Sequence, residues 1–158
     1  MPLQDVYLRG IMTVLTNLKQ LYEIDDSLWL EETIELLKNK QFNLLDLENL
    51  IEELESLGRH DKNAVESLLE QVIRHLLLCQ YWTKEAQNLN HWKAEIRGFR
   101  SQLERLLTTN LRNHLASRLP KIYHYALGYV QDKTGFTVNF PQQCPYTLEQ
   151  LLDENWLP

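Results

Sequence analysis

Residues 46–82 read DLENLIEELESLGRHDKNAVESLLEQVIRHLLLCQYW. The spacing of apolar residues in this stretch decides the fold. At about 100° per residue, Leu47, Leu50, Ile51, Leu54 and Leu57 gather in an arc of about 120°. Glu48, Asn49, Glu52, Glu53, Glu55 and Ser56 occupy the other side. Asp46 suits an N-cap, and Gly58 stands where a C′ residue enters the left-handed region. The pattern therefore predicts a helix over 46–58 with its acids opposite the core face. A longer helix is expected over 61–82. Val65, Leu68, Leu69, Val72, Leu76 and Cys79 form its stripe, and Ile73, Leu77 and Leu78 make its second half apolar nearly all round. Such a helix belongs at the centre of a bundle.

Other elements follow outward from these two. Upstream, a helix is expected over 27–39, capped by Asp26 or Ser27, with Leu30, Ile34 and Leu37 as its stripe and Trp29 and Leu36 widening it. Downstream, Asn90 can cap a helix over 91–108, in which Trp92, Ile96, Phe99, Leu103 and Leu106 step by four and three. A further helix runs from 111 to 133. Pro120 should kink or divide it, and Gly135 closes it. FTVNFPQQCP, residues 136–145, reads as loop or a short extended segment. Thr147 and Gln150 then make a capping box for a last short helix with Leu148, Leu151 and Leu152. No internal repeat or sheet pattern is visible. The expected fold is all-α: a single-domain bundle of about five to six helices with a long central helix, spanning 12–158. Residues 1–11 read as a loose arm or an alternative start ahead of Met12.

Composition bounds the class. Of 158 residues, 44% are hydrophobic and 24% charged, which suits a globular domain with its own core. No apolar run reaches the roughly 18–20 residues of a membrane span, and the start lacks a signal-peptide pattern. Cys79 and Cys144 do not make a disulfide framework. These features point to the cytoplasm. The net charge of −6 is unevenly placed. Residues 23–70 carry fourteen acids against four Lys/Arg, and residues 84–121 carry eight Lys/Arg against three acids.

Little in the sequence points to chemistry. A carboxylate-bridged di-metal bundle uses Glu-x-x-His on two helices, and none of the five histidines has Glu three residues before it. Glu48, Glu52 and Glu55 therefore read as a solvated or partner-facing surface, with no metal, catalytic residue or cofactor assigned. His75 and Cys79 could share a helix face as ligands or as base and thiolate, but no complete ligand set accompanies them. Lys93, Arg97 and Arg100 form a basic side on the fourth helix, which with Arg105, Arg112, Arg118 and Lys121 could follow a phosphate backbone. It carries no helix-turn-helix, finger or RNP motif. The alternative is that this side pairs with the acids, Arg97 and Arg100 lying near Glu52 and Glu55. Trp29, Trp82, Trp92 and Trp156 read as core-edge anchors or, less simply, as walls of a ligand pocket.

YEIDDSLWLEETIELLK, DLENLIEELESLG, HLLLCQYW and the closing CPYTLEQLLDENWLP resemble the bacterial family called domain of unknown function twenty-nine, common in cyanobacteria. The resemblance covers about 12–158. It implies a small, soluble, all-helical protein of the bacterial cytosol and brings no catalytic residue or cofactor with it. The leading reading is a non-enzymatic helical interaction module, with an unknown protein partner or self-association. The alternative is a nucleic-acid-associated protein using the basic side of the fourth helix. A small-molecule or metal-dependent enzyme comes third. Glu48, Glu52, Glu55, Lys93, Arg97 and Arg100 are the candidate interaction surface.

Overall fold

The computed structural model describes residues 18–158. The expectations for residues 1–11 and for a start at Met12 lie outside them. The described chain is all-α, as the periodicity predicts. Its helices are α1 (18–24), α2 (Asp26–Lys38), α3 (Leu47–Tyr81), α4 (Leu89–Leu106), α5 (Thr109–Lys133) and α6 (Leu148–Leu152), with 3-10 turns at Phe42–Leu44 and Thr83–Asn88. Two compact units are distinguished, one ending at Gly58 and the other comprising Arg59–Pro158.

α3 corrects the first expectation. It is one helix of 35 residues and passes straight through Gly58, where the sequence suggests a break between 46–58 and 61–82. A glycine within a helix costs only about 1 kcal/mol relative to alanine. Nothing at this point demands the left-handed conformation, which among the described glycines Gly135 adopts.

In the first unit, Asp25 caps α2. Its carboxylate accepts from the Leu28 amide at 2.9 Å, one residue earlier than expected. The buried side of α2 is Trp29, Thr33 and Leu36, while Leu30, Ile34 and Leu37 are exposed. Thr33 can be buried because its hydroxyl donates to the Trp29 carbonyl at 2.7 Å. Lys40 ends the helix with φ +56°, the Gln41 amide reaching back to Leu36 O and the Lys40 amide to Leu37 O. This is a Schellman motif with lysine in the place that favours glycine. Leu18, Trp29 and Leu36 form the small core, with Leu21, Tyr22, Leu44, Leu45 and Leu50 around it.

In the second unit, Val65, Leu69, Val72, Ile73, Leu76, Leu77 and Leu78 of α3 are buried at the centre of the core. This is the central position that their all-round apolarity predicts. α4 adds Trp92, Ile96 and Leu103, and α5 adds Leu115, Ile122, Tyr123, Ala126, Leu127 and Val130. α4 starts at Leu89, two residues before the predicted His91, and has no side-chain cap. The Asn88 side chain donates to Glu85 instead. α5 remains one helix through Pro120. Proline leaves the Ala116 carbonyl without its helical donor, but both residues are exposed and water can serve it. Gly135 closes α5 as predicted. Its amide bonds to Asp132 O, and the Phe136 amide bonds to Gln131 O, a second Schellman motif. Residues 136–145 form no strand.

The capping box at α6 is present as predicted. What holds this short helix down is not visible in its own sequence. Arg100, on α4, donates from Nε to Leu151 O at 2.8 Å, from one terminal nitrogen to Trp156 O at 2.8 Å and from the other to Gln150 O at 2.9 Å. Gln150 and Leu151 lie in the last turn of α6, whose carbonyls have no helical donors. The guanidinium meets both their lone pairs and the negative end of the helix. Leu148 and Leu151 are buried beside it, and Trp156 packs edge-on to Tyr146 at 5.5 Å.

Candidate docking surface

The first half of α3 is fixed along one side. Asp46 is 5% exposed, and its Oδ2 accepts from Asn49 at 2.6 Å and from the Trp29 indole at 3.4 Å. The Tyr22 hydroxyl donates to Glu53 at 2.7 Å, which pushes the Tyr22 pKa up to about 12. Lys19 donates to Glu48 at 2.8 Å, and that bond raises the lysine's pKa. Asp46, Asn49, Leu50 and Glu53 thus belong to the side turned toward the rest of this unit.

The adjoining side is bare. Leu47 is 56% exposed, Ile51 54%, Leu54 61% and Leu57 60%. Leu47, Ile51 and Leu54 fall within an arc of about 60° at the helical repeat, a narrow stripe along about two turns, and Leu57 widens it to about 120° one turn further on. Glu48, Glu52 and Glu55 follow next around the helix, all exposed. The sequence places these leucines and Ile51 in the core; the structure leaves all but Leu50 of the five on the surface. Every residue from 51 to 60 is exposed. Periodicity identifies an amphipathic helix but does not say whether its apolar side is covered by its own chain.

The basic half of the predicted surface does not hold together. Lys93 and Arg97 are exposed, whereas Arg100 is 4% exposed and committed to three carbonyls. Burial lowers its pKa, with Asp153 opposing. Trp92, Ile96, Arg100 and Leu103 are the buried side of α4. Their spacing of four, four and three was the available signal, obscured by the charge of Arg100. Phe99 and Leu106, read as part of that stripe, are half-buried and 43% exposed respectively. Arg97 instead lines an open cavity of about 430 Å³ with Ser101, Glu104, Arg112 and Glu154, so arginines and glutamates share its rim.

Other groups in the second unit were also candidates. His75 Nδ1 lies 2.7 Å from Gln71 O and donates to it, so Nε2 is the free acceptor of the neutral ring. Burial lowers the His75 pKa, which favours that neutral form. His75 shares a cavity of about 390 Å³ with Trp82, His91, Trp92 and Tyr129, the two indoles stacked at 5.9 Å. Burial raises the Cys79 thiol pKa, with Lys93 opposing, so this thiol is not activated as a nucleophile. Among the described residues no group of three or more His, Cys, Asp and Glu could hold a metal. Glu66 accepts from His114 at 2.7 Å and from Arg118 at 3.1 Å, tying α3 to α5. Burial would raise its pKa, but these two partners outweigh it and the net shift is downward. No described helix is long and apolar enough to cross a membrane.

These features define a class: among the described residues, an all-helical protein with a large buried core in its second unit and an exposed apolar helix side in its first. The chain belongs to the family described as domain of unknown function DUF29, whose model matches residues 21–157. Comparison with curated proteins and with solved structures returns no match.

Proposed function

We propose that this protein is a non-enzymatic helical interaction module that engages a protein partner through the first half of α3. The supporting observation is the stripe of Leu47, Ile51, Leu54 and Leu57, each more than half exposed on a helix otherwise rich in acids. Contiguous exposed apolar side chains with a polar rim are a feature of interaction sites. The cytoplasm of a bacterium, cyanobacterial by the resemblance of its motifs, is the setting that belongs with this reading.

Photocrosslinking in the native cell tests it. A photoreactive residue at position 51 should give a discrete protein adduct, and one at exposed Arg105 should not. Equal or absent adducts from both positions would sink the reading. The nucleic-acid alternative retains exposed Lys93 and Arg97 but not Arg100. It would require salt-dependent binding to DNA or RNA that weakens in a Lys93→Ala/Arg97→Ala variant.

A further inference from the structure

We infer that the partner presents a basic amphipathic helix, an apolar stripe flanked by Lys or Arg, to the Leu47–Leu57 side of α3. This deepens the reading above and rests on it.

Size and shape come first. The stripe extends over about 15 Å, from ten residue steps of about 1.5 Å. An apolar stripe of that length suits three turns of a partner helix with anchors at i, i+3 or i+4, and i+7. Charge selects the kind of helix. Residues 18–58 carry eleven acids against three lysines. Two of those lysines are already paired, Lys19 with Glu48 at 2.8 Å and Lys38 with Glu35 at 3.0 Å. Beside the stripe stand Glu52 and Glu55, with Glu48 already paired to Lys19, and on α2 exposed Leu30, Ile34 and Leu37 alternate with Glu31 and Glu35. An occupant must therefore be apolar in the middle and cationic at its margins.

Other occupants fit less well. A second copy would oppose one acidic rim to another, and like charges across an interface are unfavourable. The apolar area is small for a permanent dimer and limits any occupant to a weak, reversible contact. Four side chains of roughly 100 Å² each give about half of the ~800 Å² per partner of a stable interface. Anionic lipid surfaces and nucleic acid are repelled by the same acids. A cationic helix gains from both the stripe and its rim, and an interface this small suits reversible capture.

Three synthetic 18-residue peptides test the inference by isothermal titration: a Leu/Lys amphipathic helix, the same residues scrambled, and a Leu/Glu twin. The Leu/Lys helix should bind at least tenfold more tightly than either control, and more weakly as salt rises. Ile51→Ser/Leu54→Ser and Glu52→Gln, all at exposed positions, should keep the far-UV spectrum and Tm yet each weaken binding several-fold. Equal binding of the scrambled peptide would reduce the effect to bulk charge and overturn the inference. So would unchanged binding by the stripe variant, or a protein that sediments as a dimer and becomes a monomer in that variant. If position 51 crosslinks in cells while the Leu/Lys helix fails to bind, the interaction module stands and the partner class is wrong. If both fail, both readings fall.

Discussion

Replacing Arg100 by Met should loosen α6 and the residues that follow it. Its guanidinium makes three charge-assisted bonds, to Gln150 O, Leu151 O and Trp156 O, at 2.8–2.9 Å. Bonds to a charged group are each worth about 1.5–3 kcal/mol net, so three give about 4.5–9 kcal/mol if taken singly. Two corrections lower this. Met removes the cost of burying a cation, several kcal/mol. The Trp156 carbonyl, between exposed Asn155 and Leu157, can turn to water. A loss of about 2–4 kcal/mol remains, against a total stability of about 5–15 kcal/mol. Arg100→Lys should fall between Met and wild type, because one ammonium cannot follow the planar fork to three carbonyls. Urea unfolding read by tryptophan fluorescence measures the loss. A cycle with Leu151→Ala gives the coupling, since Leu151 is fully buried and its carbonyl accepts from Arg100 Nε. The two changes should be non-additive by at least ~0.5 kcal/mol. A Met variant within ~0.5 kcal/mol of wild type, or strict additivity in the cycle, would refute the account of the tail.

Three further outcomes follow from the backbone and from titration. Gly58→Ala should raise stability by about 0.5–1 kcal/mol in thermal melts, because Gly58 is helical and an added Cβ meets nothing within 4 Å. A loss would mean that Gly58 leaves the helix in solution. Lys40→Gly should raise stability by about 1 kcal/mol, since lysine there holds φ +56°; unchanged melting would argue against the left-handed cap. His75 has a folded pKa depressed by burial. Its contribution is complete above the unfolded value of about 6.5 and is lost as pH falls through the lower folded value, because the unfolded chain binds the proton first. His75→Gln should therefore flatten the decline of stability below about pH 6.5, and a decline identical to wild type would reject that assignment.

The parts of this fold that were legible in the sequence are those set by local rules. Helical periodicity identifies α2, α4, α5, α6 and both halves of α3 but not α1, turn chemistry gives the Gly135 closure, and the Thr147–Gln150 spacing gives the capping box. The break at Gly58 misled, because a glycine followed by Asp61 resembles a stop and a start, whereas a continuous hydrogen-bond ladder tolerates the glycine's modest cost. Arg100 was hidden by its charge. A cation on a helix reads as wet unless acceptors wait for it, and here they are main-chain carbonyls some fifty residues away. The exposed stripe is hidden for a related reason. Leu47, Ile51 and Leu54 have the spacing of a core side, and spacing alone cannot separate a stripe covered by its own chain from one left for a partner.

The claim that the first half of α3 is a docking side is tested most directly by following backbone amide resonances while the Leu/Lys amphipathic peptide is added. Perturbations that saturate and centre on residues 47–57, and that are abolished by Ile51→Ser/Leu54→Ser in a protein that still folds, are the predicted result. Perturbations centred on α4 or α5, or none on α3, would contradict it.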